Sequence, residues 1–185
     1  MLKNRLHEEN LEEIVKGTFL KIGIRENKEE EVIDFGCGSG TYTIPLAEII
    51  GSKGKVYALD KDETALKKLE KKVENKGLRN IKMLYTKGSS NIPLNDESVD
   101  IIILYDVFHD FYFPQRGDRR KLLDEIYRVL KPEGFLSVWP KHMEKDAKEE
   151  IENANFQLAE KHVEDLVHDD SYVEKGEILN FKKSC

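Results

Sequence analysis

An α/β fold, with a mostly parallel sheet of seven strands lying between two helical layers as a three-layer sandwich, is what the sequence predicts. Three observations predict it. The run Glu31-Val32-Ile33-Asp34-Phe35 ends in Gly36-Cys37-Gly38-Ser39-Gly40, which reads as a strand feeding a tight loop and then a helix. A second apolar run, Val56-Tyr57-Ala58-Leu59, ends in Asp60, and helical periodicity fills the stretch between the two. The segment Val99-Asp100-Ile101-Ile102-Ile103-Leu104-Tyr105 is apolar nearly throughout, as a parallel strand covered on both faces must be.

The elements follow in order. Asn10 with Glu13 reads as the start of a leading helix, with Leu11, Ile14 and Val15 at helical spacing. The first strand spans 31–35 and the helix behind it 41–50, where Pro45 is tolerated only in the first turn. The second strand spans 55–60, and a helix over 63–76 buries Leu66, Leu69 and Val73 before stopping at Gly77. A third strand covers 81–85 and a fourth 99–105, at the sheet centre. A helix over about 119–130 turns inward Leu122, Leu123, Ile126, Val129 and Leu130, and a Lys131-Pro132-Glu133-Gly134 turn precedes a strand at 135–139. A polar helix near 145–154 leads to extended stretches at 156–162 and 177–183, separated by a loop rich in acids. With strands and helices alternating, the strand C-terminal ends converge on a crevice where the connection order reverses.

Composition bounds the function. The 185 residues suit one domain. A charged fraction of 36% and a mean hydropathy of -0.58 describe a soluble surface, no run is long enough to span a bilayer, and no apolar signal core follows the N-terminus. A cytoplasmic protein, monomeric or homodimeric, is expected. The net charge of -6 argues against a nucleic-acid partner, the local run Arg116, Arg119, Arg120 and Lys121 reading as a solvated helix face. Cys37 and Cys185 make neither a disulfide framework nor a metal site, and Cys37 reads as a small loop filler. His142, His162 and His168 lack metal-ligand spacing, so no metal is expected.

Gly36, Gly38 and Gly40 let the backbone approach a ligand closely, and Asp60 stands twenty residues beyond Gly40, where an acid that grips a ribose hydroxyl pair belongs. The two strand ends describe a nucleoside pocket. Asp34 selects the nucleoside: a carboxylate opposes a pyrophosphate, whereas the ammonium and sulfonium of S-adenosylmethionine (SAM) suit it.

Asp34-Phe35-Gly36-Cys37-Gly38-Ser39-Gly40, the Asp60 strand end, Ile92-Pro93-Leu94 with Ser98-Val99-Asp100, and Leu130-Lys131-Pro132-Glu133-Gly134-Phe135 resemble, in order and spacing over 31–140, the motifs of small single-domain class I SAM-dependent methyltransferases. The resemblance implies a Rossmann-like fold, with the last two strands an antiparallel hairpin at the sheet edge. It implies one methyltransferase domain over 1–185: an N-terminal helical substrate cap at 1–25, a SAM-binding core at 31–140, and a C-terminal helix and hairpin at 145–185. The cofactor is then SAM, with S-adenosylhomocysteine as product, and the substrate a small molecule.

The same resemblance assigns roles. Asp34 reaches the methionine ammonium directly or through water, Asp60 takes the ribose hydroxyls, and Gly36, Cys37, Gly38, Gly40 and Tyr105 line the cofactor site, with Lys61 beside the adenine. Gly88 stands where many relatives carry an adenine-reading Asp, so readout falls to the Ser89 N–H and hydroxyl or to Asn91. Asp106 and His109, after the fourth strand, are the candidate catalytic pair for an acceptor that must lose a proton; His109 matches a His of many relatives and equally suits a loop-holding role. The acceptor side is expected from 1–25, 107–118 and 163–176, where the acids Glu164, Asp165, Asp169 and Asp170 would favour neutral or cationic acceptors. The other readings are a protein or RNA methyltransferase, a non-catalytic SAM sensor or partner subunit, and a nicotinamide-dependent dehydrogenase, which Asp34 disfavours.

Overall fold

The apolar run at 99–105 is buried because its strand has neighbours on both edges and helices on both faces. A computed structural model describes residues 2–168 and 172–184, with side chains described for 10–143, 145–168 and 172–184. Its strands are β1 (Glu31–Phe35), β2 (Lys55–Asp60), β3 (Ile81–Tyr85), β4 (Val99–Tyr105), β5 (Leu130–Trp139), β6 (Phe156–His168) and β7 (Tyr172–Lys183). Its helices are α1 (Leu2–Lys21), α2 (Thr43–Ile50), α3 (Glu63–Lys76), α4 (Arg116–Val129) and α5 (Glu144–Glu152). The seven strands form one sheet in the order β3-β2-β1-β4-β5-β7-β6, parallel except where β7 pairs antiparallel with β5 and β6.

Alternation along each central strand divides the core in two. Val32, Ile101 and Ile103 pack with Phe19, Leu46 and Ile50 of α1 and α2, while Ile33, Ile102 and Leu104 pack with Leu122, Ile126 and Ile151 of α4 and α5. Leu66, Leu69 and Val73 of α3 close over Ala58 and Ile44 on the α2 side. The order reverses between β1 and β4, whose C-terminal ends are therefore left uncovered by a crossover. That gap positions the site.

Several boundaries differ from the expectation for physical reasons. The leading helix begins at Leu2 rather than at Asn10; Asn10 sits within α1 on its exposed side, where a polar residue needs no capping role. The Lys131–Gly134 turn is instead the irregular opening of β5. Leu130 already pairs with Val99, and the ladder shifts register before Ile101, next to Pro132, which has no N–H to give. Lys131 Nζ holds both Asp100 oxygens at 2.8 Å there.

The hairpin is the largest correction. β6 and β7 run on to His168 and Tyr172 instead of stopping at 162 and 177, so most of the presumed acid loop is paired strand. Asp165 stands opposite Lys175 and meets it at 2.9 Å, and Glu164 meets Lys21 of α1 at 2.5 Å. Those acids are locally compensated, so the expected repulsion of anionic acceptors falls away for them. Asp169, Asp170 and Cys185 lie outside the described residues.

Candidate active site

Leaving β1, the chain turns back on the end of β2. The Gly36 and Cys37 N–H groups both donate to the Leu59 carbonyl, at 2.8 and 3.0 Å. At Gly36 (φ 79°) any Cβ would stand 2.4 Å from Val107 Cγ2, so the close pass of the loop beneath Val107 requires glycine. Gly38 (φ 52°) differs: a Cβ there would meet nothing within 4 Å, and the residue lines a cavity. Its N–H donates to Asp60 Oδ2 at 2.7 Å, while Asp60 Oδ1 accepts from the Asp62 N–H at 2.8 Å. Each Asp60 oxygen thus holds one backbone donor and keeps a lone pair for another. Capping of α3 belongs to Asp62, whose carboxylate accepts from the Thr64 and Ala65 N–H groups.

Asp34 is buried below this loop, 3% exposed, and takes the Thr43 hydroxyl at 2.5 Å. It lines neither of the cavities described next, so the wall does not offer the direct ligand contact expected of it. Burial pushes its carboxyl up to about 7, the Thr43 hydrogen bond opposing and the Asp60 charge adding to the rise. Cys37 is buried too, and burial followed by the Asp34 and Asp60 charges pushes its thiol upward, as befits an unreactive filler.

Two adjoining cavities open over the strand tips, of about 610 and 360 Å³, within the range of small-ligand sites. Gly36, Asp60, Val107 and Tyr112 line both. The larger runs from Asp60 and Lys61 past Thr86 and Gly88–Asn91 to Phe113 and Pro114. The smaller is walled by Cys37, Gly38, Tyr42, Tyr105, Asp106 and Val167. Lys61 sits at the rim, its Nζ 5.3 Å from the Tyr112 ring centroid. The Tyr105 hydroxyl is 2.9 Å from that of Ser137.

In the 86–91 loop, where the adenine readout is expected, one expected donor is spent. The Ser89 N–H already donates to the Thr86 carbonyl at 2.9 Å, and the Asn91 N–H to Ser89 Oγ at 3.0 Å. Gly88 (φ 77°) has open space where a Cβ would stand. What remains for readout is the Ser89 hydroxyl, the Asn91 side chain and two wall residues the sequence did not single out, Thr86 and Ser90.

The far wall of the smaller cavity is built on Asp106. Its backbone is left-handed (φ 56°), a conformation an acid tolerates at some cost and that gathers at functional sites. Its N–H donates to the Trp139 carbonyl at 3.2 Å, its Oδ1 lies 3.5 Å from His109 Nε2, and its Oδ2 lies 2.6 Å from His168 Nδ1. His109 lines neither cavity: its Nδ1 accepts the Phe111 N–H at 3.2 Å, which leaves the neutral ring's proton on Nε2, toward Asp106. Burial lowers its pKa, with Asp106 opposing. Of the expected pair, then, Asp106 is at the wall and His109 behind it, holding the loop. Phe108 is core, Phe111 is 82% exposed, and Tyr112 and Phe113 are wall. No described residue of α1 lines either cavity; α1 packs on the hairpin and on α2, with the Thr18 hydroxyl on the Asp165 carbonyl and Lys16 on Glu48. Among the described residues no cluster of three metal-ligating side chains occurs.

A model of a methyltransferase domain family matches residues 26–182. The chain belongs to that family. A SAM-dependent methyltransferase of Aquifex aeolicus superposes with a TM-score of 0.75 at 25% identity, over 90% of this chain and 88% of that one. A SAM-dependent methyltransferase of Methanosarcina mazei has the same fold, with a TM-score of 0.70 at 17% identity over 89% of this chain and 97% of that one. A demethylmenaquinone methyltransferase of Geobacillus stearothermophilus is 36% identical over 108 residues, 58% of this chain and 44% of the relative. The chain spans less than half the length of the curated relatives first matched. The cavities fit the family's cofactor: an acid with a spare acceptor on each oxygen stands at the β2 tip, and the Gly38 face is open.

Proposed function

We propose that this methyltransferase-family chain transfers a methyl group from SAM to a small-molecule acceptor. The observation that carries the reading is the crevice over the β1, β2 and β4 tips, where Asp60 keeps acceptor capacity on both oxygens beside the open face of Gly38. Asp60 holds the ribose hydroxyls. The larger cavity takes the adenine between the 86–91 loop and Phe113-Pro114, and the smaller takes the methionine part above Gly36–Gly38, with the buried Asp34 charge below. SAM supplies a methyl group already activated by its sulfonium. The protein aligns the acceptor, shuts out water with Tyr112 and Val107, and offers the Asp106 carboxylate to the acceptor's proton.

The curated relatives act, by their names, on demethylmenaquinone, so a hydroxylated aromatic ring is the first acceptor class to try. The acceptor side is built from the 106–114 segment and the hairpin end rather than from the described side chains of α1. The same reading puts the protein in the cytoplasm, as a monomer or homodimer; no described helix is long and apolar enough to cross a membrane. Incubation with methyl-labelled SAM and a panel of phenols, hydroquinones and amines tests the reading by mass spectrometry. One product heavier by a labelled methyl group, with adenosylhomocysteine formed in equal amount, is the expected result. Tight adenosylhomocysteine binding with no product from any acceptor, together with a stable protein partner on pull-down, would instead make the chain a SAM-binding subunit.

A further inference from the structure

Asp106 gains its second imidazole from a residue 62 positions away in sequence, at the far end of β6. The hairpin end that carries it is fastened to the cofactor loop. The Tyr42 hydroxyl donates to the Val167 carbonyl at 2.9 Å and accepts the Val167 N–H at 3.0 Å, and Tyr42 itself packs edge-on against Tyr105, 5.0 Å between centroids. Tyr42, Tyr105 and Val167 all line the smaller cavity with Asp106. One hydroxyl therefore fixes the residue next to His168 against the wall where the methionine part would lie. The strained Asp106 backbone, held by the Trp139 carbonyl, completes the placement from the β4 side.

His168 Nδ1 and Asp106 Oδ2 stand 2.6 Å apart, within ion-pair reach, with the ring N–H off the line of the carboxylate oxygen in the resting geometry. Two lone pairs at that distance would repel, so a small turn of the ring makes His168 Nδ1 the donor to Asp106 Oδ2 and leaves the opposite oxygen, Oδ1, to meet an acceptor, with His109 Nε2 only loosely in reach at 3.5 Å. Resting on the methyl-transfer reading above, we infer that His168 is a positioning residue for proton removal: it turns the Asp106 carboxylate so that Oδ1 receives the proton of the acceptor's O–H or N–H. In the step, an acceptor lone pair forms the bond to the methyl carbon as the carbon–sulfur bond breaks with its electron pair left on sulfur. The acceptor's proton passes to Asp106 and then to water. Acceptors that are already anionic at neutral pH have no proton to give and do not use His168.

His168→Ala and His168→Asn test this, because an asparagine amide nitrogen falls where histidine Nδ1 was and keeps the donor. His168→Ala is expected to lose 10- to 100-fold in kcat with a phenol-type acceptor, at unchanged KM for SAM. His168→Asn is expected to stay within about fivefold of wild type, and both variants to keep wild-type affinity for adenosylhomocysteine by calorimetry. Imidazole nitrogen NMR of the ligand-free protein supplies a readout apart from activity: His168 is expected to be protonated at Nδ1, and to lose that tautomer in Asp106→Asn. Wild-type kcat in His168→Ala, or an Nε2-protonated His168 in the wild type, overturns the inference while the methyl-transfer reading stands. A wild-type protein that binds adenosylhomocysteine and transfers no methyl group overturns both.

Discussion

Arg119→Ala is expected to destabilise the fold by about 3 kcal/mol and to lower the melting temperature by roughly 6–12 °C, read by calorimetry or circular dichroism. Arg119 looks in the sequence like one member of a basic surface run, yet its side chain is only 6% exposed. Its Nε and Nη2 hold the two oxygens of Glu150 at 2.7 and 2.8 Å, and Glu150 is as deeply placed. Its Nη1 reaches Asp110 Oδ1 at 2.7 Å and also the Phe113 carbonyl. One guanidinium thus ties α4, α5 and the segment after β4 together. Removing it strands a buried carboxylate, which costs more than the pair contributes net, and Arg116 at 2.9 Å offsets only part of the loss.

The same change reaches the site. Phe113 and Pro114 wall the larger cavity, so their release is expected to weaken adenosylhomocysteine binding about tenfold. Glu150→Gln keeps acceptor and volume and should cost less than half as much stability. Equal losses in the two variants would show that the fork geometry contributes nothing.

Asp34→Asn carries the second large effect, and its sign reverses the usual expectation for an acid. In the fold the Asp34 carboxyl is raised to about 7 by burial, from 3.8. Between those values the native protein holds a proton that the unfolded chain has lost. Stability therefore falls as pH rises from about 4 to about 7 and levels off above. Asparagine has no such proton. The stability of the variant relative to wild type is expected to grow by about 4 kcal/mol between pH 4 and pH 8, measured as the difference in denaturant midpoints. A relative stability independent of pH would mean that Asp34 titrates as an ordinary surface acid.

The ligand responds in the opposite sense. A cation bound above the loop favours the charged carboxylate, so wild-type affinity for SAM is expected to rise from pH 6 to pH 8 with release of a proton. The asparagine variant loses about tenfold in affinity at pH 8 and shows no such rise. A stabilised fold with weakened cofactor binding is the mark of a residue kept for function at a cost in stability.

The parts of the molecule legible in the sequence were those written in local periodicity. Strand tips ending in Asp34, Asp60 and Tyr105, and α3 between Asp62 and Gly77, need only neighbouring residues to be read. The extent of the hairpin is not legible in the sequence because Glu164, Asp165 and Lys175 look like loop. Their charges are met across the ladder and by α1, a long-range fact that alternation alone does not record. The approach of His168 to Asp106 is hidden for the same reason, because it lies six residues beyond the strand end that periodicity marks at 162. Arg119 was hidden because a buried ion pair and a solvated one have the same composition. Asp34 was found as a residue but not as a depth, since an acid inside a strand tip gives no sign of which side of the loop it faces.

The direct test of the whole account is the calorimetric affinity of adenosylhomocysteine for the wild type and for Asp60→Ala, measured beside their melting temperatures. Two hydroxyl hydrogen bonds to a carboxylate contribute about 1.5 kcal/mol each, so the variant is expected to bind about 100-fold more weakly while remaining folded. Equal affinity in the two proteins would contradict a nucleoside lying across the tips of β1 and β2.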